Sequence, residues 1–138
     1  MRFLLAATLA GLGAAPVLAQ DLELFRTPSD NIHCLFIDEG GDIAVECELR
    51  QRAEGDPARP RPADCELDWG SRFALAARGE AGLVCHGDTL LSPGSPILAY
   101  GETRAHTGIT CHSEKSGLTC RNLDGHGFRL ARAKQELF

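Results

Sequence analysis

Apolar and polar residues alternate along this chain in short runs, and glycine or proline interrupts them every ten residues or so. Alternation of period two puts successive side chains on opposite faces of a strand, so the pattern predicts an all-β protein. The clearest unit is "NIHCLFIDEGGDIAVECEL". Ile32, Cys34 and Phe36 alternate before Asp38–Asp42, and Ile43, Val45 and Cys47 alternate after it. The spacing predicts a hairpin with those six side chains on one face. In "CELDWG", Cys65, Leu67 and Trp69 predict another strand, with Trp69 facing the core. Further strands are expected over 72–77, 82–86 and 97–100, with a turn at Arg78-Gly79-Glu80. Ser71 could instead cap a helix ending at Gly79, but so short a helix is marginal on its own.

A second hairpin is expected in "GITCHSEKSGLTC", over 108–112 and 117–122, with its turn at Ser113–Ser116. Ile109 and Cys111 share a face, as do Leu118 and Cys120. A last strand should start at Phe128 after the tight "LDGHG" turn. The tail "ARAKQELF" is expected to form a helical turn that docks Leu137 and Phe138 on the core. Together these elements predict a small antiparallel barrel or sandwich. The two hairpins resemble each other, "NIHC…VEC" and "GITC…LTC", over too short a stretch to establish a duplication.

Two segments have little to bury. Arg50–Asp64 holds four arginines and three prolines. Its interspersed Glu54, Asp56 and Asp64 make it a solvated loop rather than an anion-binding patch. Leu91–Ile97 is a second loop, and Tyr100 just after it is the better surface aromatic.

The chain opens "MRFLLAATLAGLGAAPVLAQ". One basic residue, an apolar run from Phe3 to Leu12, and the small-x-small triplet Val17-Leu18-Ala19 predict a signal peptide over 1–19, cut after Ala19. Gly11, Gly13 and Pro16 interrupt the run, which argues against a membrane anchor, and no later stretch could span a bilayer. Residues 20–138 are then one exported domain, periplasmic or extracellular, with no membrane insertion after cleavage. Cleavage removes one of the 14 basic residues, Arg2, leaving 13 against 19 acidic ones, a formal charge of −6. That balance argues against nucleic acid or an anionic membrane as partner.

Six cysteines in an oxidising compartment favour disulfides over metal ligation. Folding each hairpin back on itself pairs Cys111 with Cys120 and Cys34 with Cys47, which leaves Cys65 for Cys85. The rival is zinc. No two cysteines show the ligand spacing of a structural zinc site. His33, His86 and His112 adjoin cysteines, but neighbours on a strand point to opposite faces and cannot share one ion. A surface metal site from these three outward imidazoles would need neighbouring strands, and a solvated outer face is the preferred reading. No cofactor and no metal are expected.

The residue types needed for acid–base chemistry are present in His106, His112 and His126, with Arg121, Asn122 and Asp124 close by. The mutual geometry a catalytic site requires is not readable from their spacing. No phosphate loop, nucleophile elbow or His-Glu-x-x-His motif occurs. The preferred function is therefore a non-catalytic binding or envelope-associated module, with an unknown protein or cell-envelope ligand as partner. The alternatives are a small secreted hydrolase or nuclease using His106, His112 or His126, and an inhibitor of an exported enzyme. Oligomeric state is not encoded in any pattern found.

The stretches "FRTPSDNIHC" (25–34), "CELDWG" (65–70), "VCHGDT" (84–89), "AYGET" (99–103) and "GITCHSEKSGLTCRNLDGHGFRLARAKQELF" (108–138) carry a resemblance. The chain resembles a family of small exported proteins of actinobacteria and alphaproteobacteria whose function is unknown. The family often has Gly where Asp30 stands. The resemblance implies a secreted, cysteine-paired domain and brings no catalytic residues.

Overall fold

A computed structural model describes residue 11, residues 13–15 and residues 21–138. The expected export signal falls almost entirely outside them, as does Gln20 at its boundary. Ten strands form: β1 Asp21–Arg26, β2 Ile32–Glu39, β3 Asp42–Leu49, β4 Arg72–Ala76, β5 Gly82–Leu83, β6 Thr103–His106, β7 Ile109–Glu114, β8 Gly117–Asn122, β9 Gly127–Leu130 and β10 Gln135–Leu137. They make two antiparallel five-stranded sheets in the orders β1-β2-β3-β4-β5 and β10-β9-β8-β7-β6. The fold is an open β-sandwich, not a closed barrel. No helix among the described residues is long and apolar enough to cross a membrane.

The first hairpin forms as its pattern requires. Ile32, Cys34, Phe36, Ile43, Val45 and Cys47 are all buried on one face. The reversal is the pair Gly40-Gly41, both at positive φ (66° and 100°), the geometry whose twist suits a two-residue hairpin. In the second hairpin the reversal is Lys115-Ser116, the second half of the expected turn Ser113–Ser116, and Cys111 stands opposite Cys120. Bridges join Cys34 to Cys47, Cys65 to Cys85 and Cys111 to Cys120.

Each sheet is a meander with one cross-strand disulfide on its second and third strands. Reading across the first sheet, one row of paired residues runs Phe25, Cys34, Cys47, Phe73, Leu83. The matching row of the second runs Arg104, Cys111, Cys120, Phe128, Leu137. Corresponding members meet between the sheets: the Phe73 and Phe128 rings are 6.0 Å apart, and the Arg104 guanidinium lies 5.4 Å from the Phe25 ring. One hydrophobic cluster spans both sheets.

Several expectations are corrected. The tail forms no helical turn. Arg132-Ala133 make a tight reversal, with Ala131 and Lys134 exchanging backbone bonds, and Gln135–Leu137 pairs with β9. Pairing satisfies the backbone of so short a tail, which a single helical turn could not. Residues 65–69 form no strand beyond a bridge between Asp68 and His86, so the predicted alternation there has no sheet to face. Leu67 is exposed and Trp69 only half-buried, its indole N–H donating to the Arg59 carbonyl at 2.9 Å rather than lying in the core. The strand expected over 82–86 stops at Leu83, and that over 97–100 is reduced to a bridge between Arg26 and Ile97. Strands β1 and β6, not expected from the pattern, form one edge of each sheet.

Candidate functional site

The chemistry-bearing residues are best sorted by what holds them. His33 and His86 are buried, not solvated, because residues 88–95 cross the outer face of the first sheet above them. Ser92 N–H donates to His33 Nδ1 at 3.0 Å, and Leu90 N–H donates to the Glu48 carboxylate at 2.6 Å. With Nδ1 occupied as acceptor, His33 carries its proton on Nε2 and donates it to the Asp30 backbone carbonyl at 3.1 Å. His86 donates from Nδ1 to the Asp88 carbonyl at 2.7 Å and accepts from the Ser71 hydroxyl at 3.3 Å. Beside it the buried Arg72 guanidinium holds Glu48 at 3.2 Å and Asp88 at 3.0 Å. That guanidinium keeps the Asp88 carboxyl below the usual carboxylate range, helped by a bond from the residue's own backbone.

The three histidines singled out for catalysis are dispersed. His106 packs on the Phe36 ring and approaches Asp38 at 4.0 Å, in a shallow depression shared with Arg121 and Asn122. His126 follows the turn after β8, where its backbone N–H donates to Asn122 Oδ1. Asn122 itself is buried and fully used. Its Oδ1 accepts from Asp124 and His126, and its Nδ2 donates to Ala76 and Gly79 of the other sheet. Asp124 takes Gly79 N–H at 2.8 Å and Arg78 at 2.7 Å; these two bonds hold its carboxyl below the usual range. Asn122 and Asp124 are thus a latch between sheets.

His112 differs. Its Nδ1 meets the Thr103 hydroxyl at 2.8 Å and its Nε2 the Glu114 carboxylate at 3.0 Å. Glu114 lines a cleft of about 400 Å³ at one end of the sandwich. Asp30, Asn31, Arg50 and Gln51 come to it from the first sheet, and Tyr100, Lys115 and Arg132 from the second sheet and its approach. A pocket of this volume suits a small-molecule ligand.

Local sequence explains the cleft. Asp30 adopts φ +60°, a left-handed conformation that Asp tolerates better than most residues and Gly adopts freely. The turn therefore keeps its geometry with Asp at this position. Arg26 at 3.4 Å and Arg50 at 3.1 Å then fix the carboxylate, while His33 Nε2 donates to the Asp30 carbonyl at 3.1 Å. Tyr100 projects from a turn tied to β7 by Gly101 N–H to Ser113 O at 2.7 Å. The β9–β10 reversal presents Arg132, whose carbonyl accepts from Ala53 N–H at 2.7 Å, joining this wall to the Arg50–Asp64 loop.

A second depression, of about 470 Å³, lies within that loop, between Trp69, Pro57, Pro60, Arg52 and Arg61. Its cations are committed to the loop's own carbonyls, Arg52 to Ala53 and Gly55, Arg61 to Cys65 and Leu67. None of the three depressions is lined by two histidines. Among the described residues no group of three or more His, Cys, Asp or Glu side chains is placed to hold a metal ion.

The model of a family of unknown function, DUF6636, matches residues 4–138. The chain belongs to the DUF6636 family. No curated protein and no solved structure matches the chain. The DUF6636 match brings no activity with it, so the cleft stands on its own geometry.

Of the cleft residues, Tyr100 stands out in the sequence as a surface aromatic, and Arg50 only as part of a solvated loop. Asp30, Glu114 with Lys115, and Arg132 converge from three separate turns, and no periodicity in a single chain records that convergence.

Proposed function

We propose that this chain is an exported, non-catalytic binding module. In this reading residues 1–19 are a signal peptide and 20–138 a single disulfide-stapled domain that works in the periplasm or outside the cell. Three disulfides support an oxidising compartment. The partner is a cell-envelope ligand, not nucleic acid, and the cleaved chain does not insert into a membrane.

One observation carries the binding role: the cleft is assembled from charged and polar side chains of both sheets on a covalently stiffened scaffold. Such preorganisation lowers the ordering cost of binding. A fragment screen read by amide shifts of isotope-labelled protein tests it. Hits should cluster at Asn31, Gln51, Lys115 and Gly117. Hits scattered over the surface, or absent there, would overturn the reading.

A second reading, a small hydrolase, is favoured by the Thr103–His112–Glu114 chain ending at the cleft wall. Turnover of an ester, glycoside or nucleotide that His112→Ala abolishes without unfolding would support it; equal turnover by both proteins would reject it.

A further inference from the structure

We infer that the cleft takes an anionic saccharide, a sugar ring laid on Tyr100 with its carboxylate or phosphate held by Lys115 and Arg132. The inference rests on the binding reading above and adds the chemical class of the ligand.

Charge decides the sign of the ligand. Three cations and two carboxylates line the cleft, but the carboxylates are already engaged. The Asp30 carboxylate is held by Arg26 and Arg50, and that of Glu114 is hydrogen-bonded by His112. Among the described residues, neither Lys115 nor the Arg132 guanidinium has a carboxylate within ion-pair distance. The chain as a whole carries a formal charge of −5. The three cations outnumber the two carboxylates in the lining, so the concavity is locally positive on an acidic chain, and such a field draws anions in. A cationic ligand would meet Lys115 and Arg132 head-on. An apolar one would strip water from them with nothing in return.

The remaining lining decides the shape. Tyr100 is 41% exposed, so it offers an aromatic face with a polar tip. Sugars match that surface, with C–H groups on the ring face and hydroxyls at the rim. The Gln51 carboxamide lines the cleft and makes no side-chain hydrogen bond among the described residues, leaving it a donor and an acceptor to offer. A hydroxyl both donates and accepts, so it can use either end. The planar Arg132 fork accommodates carboxylate and phosphate alike. By contrast, the arginines of the Trp69 depression are tied to loop carbonyls.

The test is a set of titrations of labelled mature protein at low salt with glucuronate, glucose 6-phosphate, glucose, acetate and inorganic phosphate. One or both anionic sugars should shift the cleft amides and bind about tenfold tighter than glucose, acetate or phosphate, a difference of about 1.4 kcal/mol. The response to uronate against sugar phosphate tells which anion is preferred. Added salt should weaken binding, since the contacts are partly exposed. Lys115→Ala and Arg132→Ala should each weaken it about three- to tenfold. Both lie on turns, so an unchanged melting temperature confirms that the fold is intact. Glucose binding as tightly as the anionic sugars would overturn the charge argument and leave the binding module standing. Acetate or phosphate binding as tightly would overturn the saccharide. If no sugar moves the cleft amides although fragments do, the inference fails alone; if fragments also miss the cleft, the binding reading fails with it.

Discussion

Asn122 shows how much one side chain can hold. It closes the turn after β8 with its oxygen and reaches the opposite sheet with its nitrogen, at 3.0 Å to Ala76 O and 2.7 Å to Gly79 O. Each such bond contributes about 1 kcal/mol net, so Asn122→Ala should cost about 2–4 kcal/mol by urea denaturation. A loss within 0.5 kcal/mol or so would mean that water replaces the latch. In the sequence this residue stood among candidates for catalysis, because Asn beside Asp and His reads the same in a latch as in an active site. The burial of His33 and His86 was equally hidden. A strand pattern says which face a residue points to, not that a loop such as 88–95 will later cover that face. The buried alternation Ile32, Cys34, Phe36 needed no such outside information.

At the scale of elements, the two central hairpins were readable because pattern, turn residues and cysteines agreed on each. The edges were not. β1 carries exposed Leu22 and Leu24 on its outer face, so its polar-apolar contrast is weak. β10 exists because β9 offers a partner, a tertiary fact. The hairpin bridge Cys111–Cys120 closes a ten-residue loop, which on a chain-entropy model contributes about 2.7 kcal/mol. Both sulfurs are in the core, so replacing the pair with Ala also opens space there. The double variant should melt clearly lower than the parent, whereas His112→Ala, on a half-exposed ring, should melt within a few degrees of it. Equal melting of parent and double variant would place the stability of this sheet elsewhere.

For the whole molecule, acid should be a specific threat. Asp124 is lowered from an ordinary value of 3.8 by the Gly79 N–H and Arg78. Asp88 is lowered by Arg72, and Glu136 by Lys134. A carboxylate lowered in the folded state adds stability that is complete above its ordinary value and disappears as pH falls through the folded one. The melting temperature should therefore drop as pH falls below about 4. Asp124→Asn removes one of these groups, so its deficit relative to the parent should shrink as the solution is acidified. A deficit constant with pH would show that shape, not charge, makes this contact.

The disulfides divide the chain in a way that bears on its fate after cutting. Two close loops before residue 86 and the third lies after residue 110, so no sulfur joins the two meanders. Their union rests on packing such as Phe73 against Phe128 and on the Asn122 and Asp124 bonds. Pro93 and Gly94 sit exposed in the connection between them. A protease site introduced there should yield a nicked protein that travels as one particle in gel filtration, yet falls into two pieces in denaturant without any reducing agent. The bridges would then act as private reinforcements of each half, and the halves as a complementing pair, able to be expressed apart and to find each other again.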